Sequence, residues 1–442
     1  MISLRKNLRH TAVPLFIEIL LVMTLGAVDT FMLSRFSDNS VAAVGVVNQI
    51  VTLIFLVFEV VSLGTSILCS QYIGARREDR MIQTVGVSLV ANSVLGVVVS
   101  VLLFSFTTPI LTLMGLRPEL LSEGRQYMHI VGSMAFVQAI SMTISASLRA
   151  AGKAKYPMYV TLFVNITNII GNYILIFGQF GMPRLGVQGA AISTVLSRLL
   201  AMCILIYILR HKHIPHFPKR LFSPFPFKEL RNLLHVGIPS AGEQISYSFS
   251  QVVITYFINM ISNEALTART YCVNIVMFVY LFASAFGQGG AIEIGHLVGA
   301  HRPRAAFLMG SYVLRLAVSI SLSLSVATAF CGSSVMTLLT ANPEIVALGA
   351  AVLWVDIFVE LGRAVNIFSV NALRSAGDIY FPVTVGIVVM WAVSVLGSYI
   401  FGITLGWGLV GMWAAFALDE LIRGVIFIWR WRSMRWADKS FI

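Results

Sequence analysis

The sequence predicts an all-α integral membrane protein with twelve transmembrane helices, arranged as two six-helix lobes related by a parallel pseudo-two-fold repeat. Two observations carry this. Of 442 residues, 57% are apolar and only 11% are charged, whereas soluble domains carry about a quarter charged residues. The stretch from Thr11 to Tyr156 also lies over the stretch from Val236 to Phe381 at one constant offset of 225 residues. That register is the mark of an internal duplication.

The register holds residue by residue. Pro14 falls on Pro239, Glu18 on Glu243, Gly74 on Gly299, Ala75 on Ala300, Arg149 on Arg374, Gly152 on Gly377 and Pro157 on Pro382. Beyond Pro382 the offset drops by three, so Gly186 meets Gly408 and Gly189 meets Gly411. One loop therefore differs in length between the halves.

Apolar stretches of about 20 residues recur, each long enough at about 1.5 Å per residue to cross a hydrocarbon layer of about 30 Å. The twelve expected spans lie near residues 12 to 34, 46 to 72, 84 to 114, 125 to 148, 157 to 178 and 187 to 209 in the first half. In the second half they lie near 234 to 261, 270 to 298, 305 to 338, 345 to 372, 381 to 402 and 408 to 431. The runs are continuous and lack the alternation of a barrel strand, so they read as helices. Six spans per half, an even number, bring the second half in with the orientation of the first. The expected divisions are an N-lobe over 1–210, a linker over 211–231 and a C-lobe over 232–442.

The net charge of +12 reads as topology rather than as a nucleic-acid footprint. On one set of alternate loops stand Arg5, Lys6, Arg9, Arg76, Arg77, Arg80, Arg149, Lys153, Lys155, Arg210, Lys212, Lys219, Arg220, Lys228, Arg231, Arg302, Arg304, Arg374, Arg430, Arg432, Arg435 and Lys439. These are 22 bases, against Arg35, Arg117, Arg184 and Arg269 on the other set. The positive-inside rule then places both termini and the central loop in the cytoplasm of a multi-pass protein of the cell (inner) membrane. Glu18 and Asp29 interrupt the first span and no small-residue cleavage site follows, so that span is expected to be retained. Cys69, Cys203, Cys272 and Cys331 show no metal or redox spacing and read as small apolar residues. The Pro- and His-rich stretch between Arg210 and Arg231 reads as a solvated connector rather than a metal site.

A charge at the bilayer centre costs about 2.5 to 3.5 kcal/mol on insertion scales, so intramembrane polar residues call for a partner, a cavity or a function. Glu18 and Asp29 are eleven residues apart on span 1, close to three helical turns, and share a face. Span 5 carries Asn165, Asn168 and Asn172. Span 7 carries Glu243, Tyr247, Ser250 and Gln251, and span 10 carries Asp356, Glu360 and Arg363 on one face. Arg363 lies one turn from Glu360 and reads either as a fixed internal ion pair or as part of a binding site. The five acids outnumber this one clearly internal base, so the interior is expected to be acidic and to attract cations or protons. Asp419, Glu420 and Arg423 on span 12 read as a local ion-pair group.

The chain resembles the multidrug and toxic compound extrusion transporters along its whole length. The resemblance rests on Val28, Asp29, Thr30 followed by Val41, Ala42, Ala43, Val44, Gly45. It rests also on Gln71, Tyr72, Ile73, Gly74, Ala75 with the second copy at Gly299 and Ala300, and on Leu148, Arg149, Ala150, Ala151, Gly152 with Leu373, Arg374, Ser375, Ala376, Gly377. It implies two lobes around a V-shaped central cleft, and export of mainly cationic, amphipathic compounds in exchange for sodium or protons. Asp29, Asn168 and Asn172 match the family's N-lobe ion-coupling positions, although some members carry an aspartate at the position of Asn172. The acid of one branch falls here on Tyr247, and another falls on Arg363, so the choice of coupling ion stays open. Glu18, Glu243, Tyr247, Gln251, Asp356, Glu360 and Arg363 are the expected substrate and cleft residues.

The competing reading is a flippase for lipid-linked oligosaccharides from the same wider superfamily. Its expected basic cavity for a pyrophosphate contrasts with the acids here. No P-loop, paired acidic magnesium motif, His cluster or nucleophile motif marks the chain as an ATP-driven pump or an enzyme. No catalytic residue, metal or organic cofactor is expected beyond the coupling ion. Small organic cations or drugs and membrane lipids are the expected partners, nucleic acid is not, and the chain is expected to work as a monomer.

Overall fold

The computed structural model describes residues 2–442, and the side chains of all but residues 2–6 and 219. The expected topological roles of Arg5, Lys6 and Lys219 therefore lie outside the described side chains. Among the described residues the chain is built of helices and contains no strand.

The first half runs through α1 (Ile2–Ser34), α2 (Asp38–Gly74), α3 (Glu78–Ser105), α4 (Thr107–Leu113), α5 (Leu121–Ser133), α6 (Ala135–Ala150), α7 (Lys155–Phe177) and α8 (Val187–Ile208). The second half runs through α9 (Phe227–Asn259), α10 (Asn263–Gly299), α11 (Pro303–Phe330), α12 (Gly332–Leu339), α13 (Pro343–Ser375), α14 (Tyr380–Val389) and α15 (Gly408–Arg432). Local chemistry sets the boundaries. Ser262 caps α10 by accepting from the Ala265 amide at 3.0 Å, and Asn342 caps α13 by accepting from the Glu344 amide at 2.9 Å, with Pro343 at the first helical position. The turns obey the repeat too: Arg76 and His301, one offset apart, both adopt left-handed backbone with φ of 56° and 53°.

Among the described residues nine helices are long and apolar enough to span, or ten when α5 and α6, bent by 45° at Met134, count as one. The remaining two of the twelve expected spans are α9 and α15. Both are long helices whose apolar runs are diluted, by Ser, Gln and Tyr in α9 and by Asp419, Glu420 and Arg423 in α15. Spans 3 and 9 break at the same repeat position, after Ser105 and after Phe330. Span 11 starts as α14 and continues in π-helical turns over Met390–Val395 and Ser398–Thr404, a geometry often associated with functional sites.

The chain packs as two compact units. One comprises residues 1–16, 74–76 and 238–442, and the other comprises 17–73 and 77–237. The start of α1 thus packs with the second half, and the start of α9 packs with the first. Small residues make both dockings. A Cβ on Gly237 would meet the Val60 carbonyl oxygen at 2.3 Å, and one on Gly64 would meet the Leu233 oxygen at 2.9 Å. At the matching repeat positions a Cβ on Gly289 would lie 3.0 Å from Ala12. Backbone approach of this kind is how helices associate where the surroundings are as apolar as the side chains. Pro14 and Pro239 follow these contacts inside their helices.

The unit holding most of the first half has its core in Val47, Phe58, Leu111, Met128, Ala139 and Ile176. The other unit has two cores, one around Ile254, Cys272, Met336 and Trp413 and one around Leu8, Met309, Phe368, Phe427 and Trp431.

Candidate functional site

In the first-half unit the polar residues of α1, α7 and α8 converge. Asn172 Nδ2 donates to Asp29 Oδ1 at 2.7 Å and to Asn168 Oδ1 at 3.0 Å. Asn168 Nδ2 reaches Thr194 Oγ1 at 3.3 Å, and Ser193 Oγ donates to the Asn168 carbonyl at 2.9 Å. Asn168 and Asn172 are buried, and Asp29 is half-buried. The four-residue step from Asn168 to Asn172 puts both amides on one stripe of α7 facing α1 and α8. Asn172 Oδ1 is buried without a hydrogen-bond partner among the described residues. Three side-chain oxygens, one of them anionic and one unsatisfied, are thereby gathered in an apolar span. That donor set suits a hard monovalent cation or a proton on Asp29. Of the expected coupling residues, Asp29, Asn168 and Asn172 are brought together directly; Thr194 is an addition that the sequence reading missed.

Glu18 stands apart from this network. Its Oε1 lies 2.8 Å from Arg149 Nη1, and its Oε2 is buried without a partner among the described residues. At the repeat-related place in the other unit, Glu243 Oε2 lies 2.5 Å from Arg374 Nη2. The sequence reading placed Arg149 and Arg374 in cytoplasmic loops and counted Arg363 as the clearly internal base. The structure corrects this: both arginines are in the last turns of α6 and α13 and turn back onto the acids of α1 and α9. The surplus of internal acid is correspondingly smaller than charge counting suggested.

The acids of α13 are held inside the second-half unit. Asp356 accepts from Trp413 Nε1 at 2.9 Å, and Glu360, 0% exposed, pairs with Arg363. Arg363 also faces Glu420 at 4.0 Å, while Arg423 joins Asp419 at 2.6 Å and Glu420 at 3.0 Å. The local ion-pair group of span 12 is therefore continuous with Arg363. Asn366 adds a donor to both the carbonyl and the carboxylate of Glu420. Tyr247 is 46% exposed, and Gln251 accepts from Arg269 Nη2 at 3.1 Å. Arg269 lies within α10 and reaches α9, rather than standing free in a loop as the sequence reading had it.

Two further ionised or hydrogen-bonding groups near Asp29 carried no sequence expectation. Arg198, on α8, interacts electrostatically with Asp29 and with Tyr127, and its guanidinium carbon lies 5.4 Å from the Phe55 ring centroid. Tyr127 is buried on α5, with Arg198 and Asp29 as its electrostatic neighbours. An arginine in the middle of an apolar span was the available signal for Arg198.

The comparisons agree with the duplication. A family model described as MatE matches the chain twice, over residues 14–174 and 239–400. The chain is 40% identical over 428 residues to the uncharacterized transporter YisQ of Bacillus subtilis, covering 97% of this chain and 94% of that one. It is 26% identical over 402 residues to a probable multidrug resistance protein NorM of Thermotoga maritima, covering 88% and 84%. In fold it is similar to a MOP superfamily transporter from Pyrococcus furiosus, with a TM-score of 0.89, 20% identity and coverage of 99% and 97%. A solved multidrug resistance MATE family transporter in an outward-facing conformation gives the same TM-score of 0.89 at 20% identity, covering 99% and 97%.

Proposed function

Because the chain belongs to the MatE family, matched in both of its halves, we propose that it is a secondary antiporter that exports organic, mainly cationic and amphipathic compounds in exchange for sodium or protons. The observation that carries the reading is the buried network of Asp29, Asn172 and Asn168, with Asn172 Oδ1 unsatisfied. An anionic oxygen and an unpartnered amide oxygen beside each other in an apolar span are stabilised by an arriving cation, and Asp29 alone can take a proton. Binding of either removes the negative charge of Asp29, and release restores it. Coupling requires only that the two charge states favour different conformations.

In the second-half unit Glu243, Asp356 and Glu360 each have a partner: Arg374, Trp413 and Arg363 respectively. This pairing favours the first-half unit as the seat of coupling. Tyr247 and Gln251 are the residues of α9 assigned to substrate contact, and both termini and the linker over 211–231 are assigned to the cytoplasm. Reconstitution into proteoliposomes with an imposed sodium or proton gradient tests the reading. Gradient-driven accumulation of an organic cation such as ethidium is expected. Movement of a lipid-linked oligosaccharide without such accumulation would favour the flippase.

A further inference from the structure

Arg315 belongs to none of the charge groups described above. It stands near the middle of α11, exposed, in a helix whose other charge is Arg304 in the first turn. Among the described residues Arg315 makes no salt bridge, and its single hydrogen bond runs from Nε to the Ser311 carbonyl of its own helix at 3.1 Å. The four N–H donors of its two Nη groups are left unanswered.

The duplication tells what this face of α11 meets. One offset earlier, Arg315 falls on Val90 of α3, Ser319 on Val94 and Leu322 on Val97. Those three valines are 51%, 60% and 50% exposed, and a helical stripe of exposed valine is a surface for acyl chains. On α11 the stripe keeps exposed Leu308 and Leu322 to either side of Arg315. The arginine therefore interrupts a lipid-facing stripe, and valine at the matching position shows that the fold does not require a charge there.

Depth decides what can answer it. The 28 residues of α11 span about 42 Å at about 1.5 Å each, against a hydrocarbon layer of about 30 Å. With Phe330 and the helix break at one boundary, about eight residues project beyond the other, which brings Ser311 to the boundary on the side of Arg302 and Arg304. The Nε contact to Ser311 shows the Arg315 side chain turned toward that boundary, where the headgroups lie. A guanidinium fork with both Nη groups open matches a phosphate through two parallel hydrogen bonds.

We propose that Arg315 holds one anionic phospholipid, with the lipid phosphate on its two Nη groups and the acyl chains running inward along α11 past Leu322. A zwitterionic headgroup brings its own ammonium to compete for the phosphate, whereas phosphatidylglycerol does not, so charge complementarity selects the anionic lipid. The site lies on the outer face of the second-half unit and does not depend on the export reading.

The test uses the full-length protein in detergent and about 0.1 M ammonium acetate, where screening acts over about 10 Å. Phosphatidylglycerol and phosphatidylcholine with the same acyl chains are added in equal amounts, and native mass spectrometry counts the bound lipids. The unaltered protein should retain phosphatidylglycerol over phosphatidylcholine about fivefold, the weight of one basic side chain at an anionic surface. Arg315→Gln should bring the two lipids within about twofold of each other, and Arg315→Lys should keep part of the preference, because the charge stays and the fork is lost. Arg304→Gln removes an equal charge about 16 Å away along the helix, beyond the screening length, and should leave the preference in place. Glycerol phosphate, which offers the anion without acyl chains, should not displace the lipid. Equal retention of the two lipids by the unaltered protein, equal losses in the two glutamine variants, or displacement by glycerol phosphate would overturn the assignment. Melting temperatures confirm that the variants are folded, as expected for substitutions at exposed positions.

Discussion

Arg374 Nη2 lies 2.5 Å from Glu243 Oε2, and one repeat offset earlier Arg149 Nη1 lies 2.8 Å from Glu18 Oε1. The duplication has preserved a contact as well as a sequence. In each unit an arginine in the last turn of one helix neutralises an acid on a proline-containing helix, α1 or α9, a few residues beyond the proline. Both partners in both pairs are largely withdrawn from solvent, with side-chain exposures of 12% and 20% for Arg374 and Glu243. In that setting the loss of one partner costs more than the pair contributes, because the other charge stays behind.

Glu243→Gln is therefore expected to destabilise the protein by about 3–5 kcal/mol, the range for an orphaned buried charge. The charge-swapped double variant Glu243→Arg with Arg374→Glu should recover part of that loss. Thermal unfolding in detergent, arranged as a double-mutant cycle, measures the coupling. If Glu243→Gln leaves stability unchanged and weakens binding of cationic compounds more than neutral ones, Glu243 is a substrate residue after all.

Asp29→Asn should abolish gradient-driven export while preserving fold, since Asn172 can still hydrogen-bond an amide at that position. Substrate exchange across the membrane without an ion gradient should survive, because the variant removes only the charge that responds to the ion. Retained gradient-driven accumulation would reduce Asp29 to a structural residue.

For Arg363→Ala the expectation is a loss of about 3–5 kcal/mol, because Glu360, fully buried, then has no counter-charge. The double variant Glu360→Gln with Arg363→Gln should be much closer to the unaltered protein, as removing both partners leaves no lone charge. Chemical denaturation or thermal melting compares the three. A double variant as unstable as the single would mean that Arg363 is held chiefly by Glu420, 4.0 Å away.

Much of this was legible in the sequence for physical reasons. Apolar runs report bilayer thickness directly, and the constant offset exposes the duplication without any structural knowledge. Asp29, Asn168 and Asn172 stood out because polar groups are costly in an apolar span. Arg149 and Arg374 were misread since a basic residue at a helix end satisfies the positive-inside rule and a buried ion pair equally well. The repeat held the missing signal, as Glu18 with Arg149 and Glu243 with Arg374 share one offset. The Trp413 contact to Asp356 spans 57 residues of sequence and depends on how α13 packs with α15, which no local pattern encodes. Docking of the starts of α1 and α9 onto the opposite halves was likewise invisible, because Gly64, Gly237 and Gly289 carry no periodic signal.

Topology can be checked at Arg220, which is exposed in the linker. With the exposed Cys203 and Cys331 replaced by serine, Arg220→Cys should resist a membrane-impermeant maleimide in intact cells and react in inverted vesicles. Ready labelling in intact cells would reverse the orientation.

The start of α9 supplies the last expectation. Glu229 is fully buried and accepts from Tyr72 Oη at 2.9 Å, from Arg80 Nη1 at 2.9 Å and from Thr84 Oγ1 at 3.4 Å. These donors differ in what their loss should cost. Arg80 is 43% exposed but Glu229 is 0% exposed, so Arg80→Ala leaves a buried carboxylate without its counter-charge, at about 3–5 kcal/mol. Glu229→Ala removes that charge and deprives only the buried Tyr72 of its acceptor, at about 1–3 kcal/mol, because the Thr84 hydroxyl keeps the Arg80 carbonyl at 2.9 Å. Arg80→Ala should therefore lower the melting temperature at least as much as Glu229→Ala does. Either substitution should also speed proteolysis of the neighbouring linker, since Glu229 fastens the first turn of α9 to α2 and α3. A clearly smaller effect of Arg80→Ala would show that solvent screens the pair and that the buried Tyr72 hydroxyl holds Glu229 in place.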